Sequence, residues 1–465
     1  MYSSDGATTA EQDGAGALTS LTDLRESEFN VVAVALDGRT RILFNTRTTA
    51  YLTLSEAAWR DWRSGNYDRC DDVPRLIRMG LLVSNRADER KMVRDAYFRT
   101  KRTSGNLSLT VSPSVSCNFR CGYCFQEHPN RHFTPDDIQR VSLFAQSRLS
   151  VGGRLGVTWF GGEPLVRKDT LFKLQSALAL VCKIKGASFS QSIITNGSLL
   201  TPEVARRLCD NGPIEYVQVT LDGGPQTHNQ RRPTVGGKGT FSIIIRNLTD
   251  VAALLPITIR INVDRRNASE LPTILEHLEN AGLRGKVSVY LGHVESYTAA
   301  STVPDEAKLS REEYASIQIH FSILLANRGW PHHSGLPTRR DGALCTADSP
   351  EGYVVSPGSL LFRCWNEAAD SLPNAWGTIA DSGTLMVSSD APNDSRPQLG
   401  PDYDPFKHEQ CRGCRVQPLC RGGCPWEAEK RPMESTGHCT PLRWNLGDKL
   451  RLWHLANTAR QGATD

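Results

Sequence analysis

No apolar run in the sequence approaches the roughly 20 residues needed to span a bilayer as a helix. Charge of one sign is also missing: 54 Lys and Arg stand against 50 Asp and Glu, a net +4. So small a surplus gives no argument for a nucleic-acid partner or an anionic membrane. The opening stretch, MYSSDGATTAEQDGAGALTS, lacks the basic and apolar regions of a secretory signal. It is small, polar and acidic, and reads as disordered; the expected location is cytoplasmic. A hydrophobic fraction of 39% is that of an ordinary globular protein, and 465 residues fit about three domains.

Cysteine is what the chain has in quantity. In a reducing compartment disulfides are disfavoured, so thirteen cysteines call for another use. Ten fall into groups: Cys117, Cys121 and Cys124; Cys345 and Cys364; Cys411, Cys414, Cys420, Cys424 and Cys439. The other three read as structural. Cys182 follows Leu171, Leu174 and Leu178 at helical spacing and is expected in the core. Cys209 is placed with Val204, Ala205 and Leu208 on a helix opened by Thr201 and Pro202. Cys70 lies in a polar, acidic loop.

Residues 28–95 read as a small unit. FNVVAVAL, RTRILFN and AYLTL are short strands, the first two joined by a DG turn. SEAAWRDWRSG is a short helix capped by Ser55, and DVPRLIRMGLLV a second one ended by Gly80. From Asn106 the pattern alternates strand and helix, with strands at 107–112, 155–160, 190–195, 216–221, 257–263 and 287–291. Helices fall at Pro135 to Arg148, Asp169 to Lys185, Phe241 to Leu254 and Ser269 to Asn280. Alternation of this kind gives parallel strands with right-handed crossovers, here an open, partial barrel. Ligands of such folds gather at the carboxyl ends of the strands. After about residue 330 the regular pattern fades into a loop-rich segment that needs staples. The expected divisions are a disordered 1–27, a small α+β domain at 28–95, a barrel at 96–325 and a cysteine-rich domain with a C-terminal helix at 326–465.

The cysteine loop CNFRCGYC follows the first barrel strand. Three thiolates can hold three corners of a 4Fe–4S cluster and leave one iron open. A zinc site would need a fourth ligand, for which His128 is a candidate, and spacing alone leaves both readings open. TWFGGEP puts Gly161 and Gly162 after the second strand, where backbone can approach a ligand closely and Glu163 could receive an amine. Alone that pair is a weak signal. ITNG ends the third strand, VTLDGGPQTHNQRRP the fourth and RINVD the fifth, with Arg260 and Asn262 on one face.

Taken together, CxxxCxxC, GGEP, TNG, TLDG with a later His and Arg, and RxNxD resemble radical S-adenosylmethionine (SAM) enzymes, over Leu107 to about Leu291. The resemblance implies a partial (β/α)6 barrel. It implies that Cys117, Cys121 and Cys124 hold a 4Fe–4S cluster whose open iron SAM chelates, and that the cleaved SAM yields a 5′-deoxyadenosyl radical. Gly161, Gly162, Glu163 and Pro164 would contact the amine of SAM. Thr220 and Arg232 would face its carboxylate and ribose, and Tyr123 its adenine; Asn196 and Asn262 would complete the SAM site. One departure stands out: His228 is followed by Asn229, where relatives usually have Asp.

The later cysteines, Cys411-x2-Cys414-x5-Cys420-x3-Cys424 and Cys439, preceded by Cys345 and Cys364, are similar to the SPASM domain of peptide-modifying radical SAM enzymes. Gly358 stands one residue farther from Cys364 than in relatives. The resemblance implies two auxiliary 4Fe–4S clusters, one on Cys345, Cys364 and Cys424, the other on Cys411, Cys414, Cys420 and Cys439. Three clusters with one site kept for SAM need eleven thiolates, and the groups hold ten. An open iron, or His332, His333 or Asp341 as ligand, would account for the gap. Auxiliary clusters suit a net two-electron oxidation, because they can accept an electron that zinc cannot. Residues 28–95 resemble the winged-helix-like recognition element of peptide-maturation enzymes, which binds a leader peptide by strand addition.

The leading expectation is therefore a maturase that cross-links a ribosomally made precursor peptide through a thioether, C–C or C–O bond. It would take electrons from a flavodoxin or ferredoxin. Its general base is not assignable from sequence. The alternative in the same superfamily is an anaerobic sulfatase maturase that forms formylglycine. Outside it stand a zinc-stapled protein and a catalytically silent peptide-binding scaffold.

Overall fold

The structure is a computed structural model that describes residues 21–102, 105–296, 300–331, 335–339, 343, 345–368, 375–387, 400, 403–430 and 435–461. Its first unit contains β1 (Leu24–Glu26), β2 (Asn30–Val34), β3 (Arg41–Asn45), β4 (Tyr51–Leu54), α1 (Glu56–Arg63), α2 (Val73–Arg78) and β5 (Leu82–Ser84). β2, β3 and β4 form an antiparallel meander and β1 pairs with β5. Ser55 caps α1 by accepting from the Ala58 N–H at 3.2 Å, and Asp72 caps α2 through Arg75 N–H. One expectation changes. Residues 24–26, assigned to a disordered tail, form a strand. The second helix stops before Gly80 as expected; Gly80 turns the chain at φ +70°, and Leu82 and Val83 beyond it belong to β5.

One face of the meander closes over Leu24, Trp62, Leu76 and Leu82. The other presents Ala33, Ala35, Ile42 and Phe44 to Val416, Leu419, Leu446 and Leu450 of the C-terminal region. The seam is pinned by polar contacts: Thr46 Oγ1 donates to Arg415 O, and Arg451 Nε to Val34 O at 2.9 Å. A connecting helix, α3 (Glu89–Arg102), adds a fully buried Lys101–Asp348 ion pair of 3.1 Å. The small unit is thus packed into the rest of the chain.

The barrel strands are β6 (Asn106–Val111), β7 (Arg154–Trp159), β8 (Ser188–Thr195), β9 (Ile214–Thr220), β10 (Ile257–Val263) and β11 (Val287–His293). All six are parallel and neighbours in chain order. Between them lie α4 (Pro135–Arg148), α5 (Lys168–Lys185), α6 (Pro202–Leu208), α7 (Pro225–Arg231), α8 (Phe241–Val251) and α9 (Leu271–Asn280). Alternate strand residues such as Leu109, Val157, Ile193, Val219 and Ile261 pack with Phe144, Leu174, Ile244 and Ile274 of the helices. The intervening positions form the inner face, which is polar: Thr158, Ser192, Gln218, Arg260 and Tyr290. Tyr290 donates to Gln218, and Arg260 Nε to Asn262 Oδ1 at 2.7 Å, so the RINVD alternation is realised.

Beyond the barrel come α10 (Arg311–Asn327), β12 (Gly352–Ser356), β13 (Leu360–Phe362), β14 (Gly377–Ile379) and β15 (Leu385–Val387). Three short helices follow, α11 (Glu409–Arg412), α12 (Gln417–Cys420) and α13 (Pro425–Lys430), and then the longer α14 (Leu442–Gln461). The expectation of a largely loop-like segment is corrected. β12 joins β6 in parallel and β13 to β15 extend the same sheet to ten strands. Strands of three to five residues are too short to show a period. Of the lone cysteines, Cys182 is buried in α5 and Cys70 is half-buried, its thiol on Ala58 O. Cys209 is exposed, because α6 ends at Leu208 and leaves it as the cap.

Candidate functional site

The rim of the barrel brings together the ends of β6 to β10. Glycines in the TWFGGEP loop make the first junction possible. A Cβ on Gly161 would sit 2.3 Å from Ser114 O, and one on Gly162 2.4 Å from Val115 O and Ser116 O. The backbone runs against this segment, with Gly162 N–H on Ser114 O at 3.2 Å and Glu163 N–H on Ser116 O at 3.0 Å. The close approach is therefore to the backbone leading into Cys117. Glu163 is fully buried. Its carboxylate accepts from Leu165 N–H (3.0 Å), Thr195 Oγ1 (2.8 Å) and Asn196 N–H (2.7 Å), tying β7 to β8. Burial raises its pKa, against the pull of those donors. The carboxylate expected to receive an amine is thus already engaged by the chain.

Cys117, Cys121 and Cys124 lie half-buried on the loop after β6. Phe119 N–H donates to Cys117 Sγ at 3.3 Å, and Asn196 Nδ2 lies 4.0 Å from the same sulfur while donating to Asn118 Oδ1 at 2.8 Å. Burial, then the Glu163 charge, pushes the Cys117 thiol up to about 12, and burial pushes Cys121 up to about 11. His128 Nε2 stands 3.4 Å from Cys124 Sγ. Among the described residues, no three His, Cys, Asp or Glu side chains converge on a single-ion site.

A second junction centres on Tyr123. Its hydroxyl donates to Asp222 and accepts from Arg232 and, at 3.2 Å, from Asn262 Nδ2. Asp222 Oδ1 also accepts from Asn262 N–H at 2.8 Å, and its other oxygen lies 3.6 Å from Arg232. Tyr123, Arg232 and Asn262, all singled out by motif, therefore meet; Asp222, which joins them, lay unassigned inside the TLDG motif. Thr220 is buried two residues earlier, on the inner face. Arg232 Nε is buried with no hydrogen-bond partner among the described residues, a donor suited to an anionic group.

His228 is fully buried and acts as a brace. Its Nδ1 accepts from Asp222 N–H (3.2 Å), so the proton sits on Nε2, facing Thr240 Oγ1 at 3.1 Å. Burial, followed by Arg232 and Arg231, holds its pKa well below 6.5. Asn229 has a defined role, since its Oδ1 accepts from the N–H groups of Thr240 (2.8 Å) and Phe241 (2.9 Å) at the start of α8. One carbonyl oxygen suffices there, which accounts for Asn where an acid was the expectation.

The C-terminal thiols fall into two sets. Cys411, Cys414, Cys420 and Cys439 line one small cavity with Val416, Gln417 and Arg443. Cys345, Cys364 and Cys424 lie close enough to act on one another electrostatically, and Cys364 and Cys424 pack with Trp426. Burial pushes Cys411, Cys420 and Cys424 up to about 12. Backbone N–H groups bond several of the sulfurs: Gln126 to Cys124, Asn366 to Cys364, Gly422 to Cys420 and Glu427 to Cys424. Cys364, Cys411 and Cys439 are buried, Cys414, Cys420 and Cys424 half-buried and Cys345 exposed. Grouped thiols with amide donors aimed at sulfur fit an iron–sulfur ligand role, where thiolate charge is offset by metal and by such donors. His332, His333 and Asp341 lie outside the described residues.

Residues 111–278, which carry every junction at the rim, match the family model of the radical SAM superfamily. Residues 111–278 are a radical SAM domain. The chain is 22% identical over 331 residues to the serine-type anaerobic sulfatase-maturating enzyme of Klebsiella aerogenes, covering 67% of this chain and 77% of that one. It is 24% identical over 334 residues to the mycofactocin maturase MftC of Mycolicibacterium smegmatis, covering 68% and 78%. In fold it is similar to the solved enzyme anSMEcpe with bound AdoMet and Kp18Cys peptide. There the TM-score is 0.58 at 17% identity, over 76% of this chain and 99% of that one. The cysteine-rich region after the barrel is typical of a SPASM extension. Among the described residues no helix is long and apolar enough to cross a membrane.

Proposed function

We propose that this radical SAM enzyme oxidises a side chain of a peptide or protein substrate by two electrons. The observation that carries the reading is one three-thiol loop at the barrel rim together with two further thiol sets in the same chain. Cys117, Cys121 and Cys124 would hold the cluster that binds SAM, with Arg232 Nε placed to meet the SAM carboxylate and the Tyr123 ring beside that guanidinium. With SAM bound, such a cluster supplies a carbon radical able to take a hydrogen atom from a C–H bond. Removing two hydrogens from a side chain also releases a proton and an electron. Cys345, Cys364 and Cys424, and Cys411, Cys414, Cys420 and Cys439, would hold the groups that accept the electron. The protein orients the substrate and keeps water from the radical.

Two products satisfy that balance. Formylglycine, from a Ser or Cys side chain, is favoured by the sulfatase-maturating relatives, which align over two thirds of this chain. An intramolecular thioether, C–C or C–O cross-link is supported by the N-terminal unit. In its meander Asn45 N–H reaches Ala50 O, so the backbone groups of Leu52 and Leu54 point towards β3 while those of Tyr51 and Thr53 point away. β4 is thus an edge at which a leader strand could add. A flavodoxin or ferredoxin is the proposed reductant.

The test is anaerobic incubation with SAM, dithionite and the short peptide encoded beside the gene. The expected result is 5′-deoxyadenosine and a peptide lighter by two hydrogens, with sulfur also exchanged for water oxygen where a Cys becomes formylglycine. Reaction of the product with a hydroxylamine probe marks formylglycine; an unreactive product resistant to proteolysis marks a cross-link. No 5′-deoxyadenosine with any peptide would overturn the reading.

A further inference from the structure

Three aromatic rings connect two of the cysteine loops. Phe125 directly follows Cys124, and Trp365 directly follows Cys364. Between them stands Phe160, the residue after β7. Phe125 and Phe160 lie nearly parallel, with centroids 6.5 Å apart and planes at 15°. Phe160 and Trp365 stack at 5.5 Å and 29°. The contact is across the barrel mouth, because β6 and β12 separate β7 from β13 in the sheet. Leu155, Val157 and Trp159 of β7 pack into the core with the helices. By alternation Phe160 shares the opposite, inner face with Thr158. The rings are therefore an apolar strip on an otherwise polar inner wall, running from the SAM-cluster loop to the second thiol set.

Trp365 is 36% exposed, the one Trp among the exposed large hydrophobics of the described residues. Phe160 covers one face of its indole, yet a third of the residue stays open. A substrate bound between the Cys117, Cys121 and Cys124 loop and the Cys345, Cys364 and Cys424 set would meet this strip. An open indole there offers offset stacking to a flat side chain, and little to a small one.

We propose that Trp365 is a specificity-determining residue: its indole receives an aromatic side chain of the substrate next to the residue being oxidised. The assignment rests on the peptide-substrate reading above. It is distinct from leader docking, because the β4 edge contributes nothing to the strip.

The test uses the full-length, cluster-loaded enzyme with SAM and two fluorescein-labelled 18-residue peptides. Each carries one central Ser or Cys, flanked in one by Phe and in the other by Ala. The Phe peptide is expected to bind about three- to tenfold more tightly by fluorescence anisotropy. Trp365→Ala should erase that difference and Trp365→Phe should keep it, at unchanged iron and sulfide content. Equal binding of the two peptides to the wild type overturns the inference while leaving the peptide-substrate reading intact. So does a preference that survives in Trp365→Ala. If neither peptide binds, the inference falls, while the peptide-substrate reading is decided by 5′-deoxyadenosine formation with the peptide encoded beside the gene. The wild-type comparison decides even if Trp365→Ala fails to retain its clusters.

Discussion

The hydroxyl of Tyr123 accepts from the Arg232 guanidinium while donating to Asp222, so the cysteine loop and the segment after β9 share one hydrogen-bonded node. Tyr123→Phe deletes that node and leaves Asp222 and Arg232 to pair at longer range. Loss of one partner of a buried charged group is expected to cost about 1–3 kcal/mol. Urea unfolding of the cluster-loaded protein should show the loss, and calorimetric titration with SAM should show weaker binding. Unchanged stability and affinity would mean that the node is incidental.

Gly161→Ala tests the junction before Cys117. The new methyl would lie 2.3 Å from Ser114 O at a φ of +121°, so backbone has to move. The segment displaced is the one that sets the first cysteine loop. Iron per chain should fall towards the content of the two C-terminal sets alone, matching the triple variant Cys117→Ala, Cys121→Ala, Cys124→Ala. SAM cleavage should be lost in both. Full iron content in Gly161→Ala would refute the claim.

His228 predicts a direction for pH. Its folded pKa is held well below the ordinary 6.5, so between those two values the unfolded chain binds the proton more readily. The contribution is fully present above about pH 6.5 and is lost as pH falls below it. The loss is up to about 1.4 kcal/mol per pH unit from this one group. Urea midpoints measured from pH 7.5 to 5 should fall more steeply for the wild type than for His228→Gln. Parallel slopes would show that His228 does not govern this range.

Thr53→Pro addresses leader docking. Thr53 directs its N–H away from β3, so proline removes an edge donor without breaking a ladder bond. Precursor peptide is expected to bind at least about tenfold more weakly, with α1 and the meander still folded by circular dichroism. Deleting residues 1–95 is a poorer test, because it would strip the cover from Val416, Leu419, Leu446 and Leu450.

Much of this was readable in the chain because the chemistry sits at strand ends. Each motif follows an apolar strand of six or more residues, and observed strand limits fall within two residues of those expected. Cys117, Gly161, Asn196, Asp222 and Asn262 then had to share a rim. What stayed hidden depended on partners far away in sequence. The alternation of Ala33, Ile42 and Phe44 marks a half-buried strand without saying that α14 buries it. Asn229 looked like a lost acid until the N–H groups it caps were seen. Phe125, Phe160 and Trp365 are three ordinary aromatics in three loops until the fold brings them together.

The seam between the meander and α14 bears on how the chain is made. Residues 30–45 leave the ribosome first, yet the surface that covers Ala33, Ile42 and Phe44 comes from residues 416–450. For most of synthesis that apolar face has no native cover, and β4 beside it is an open edge. That face stays uncovered until α14 emerges, and truncation within α14 should send the chain towards aggregation rather than a shorter working enzyme.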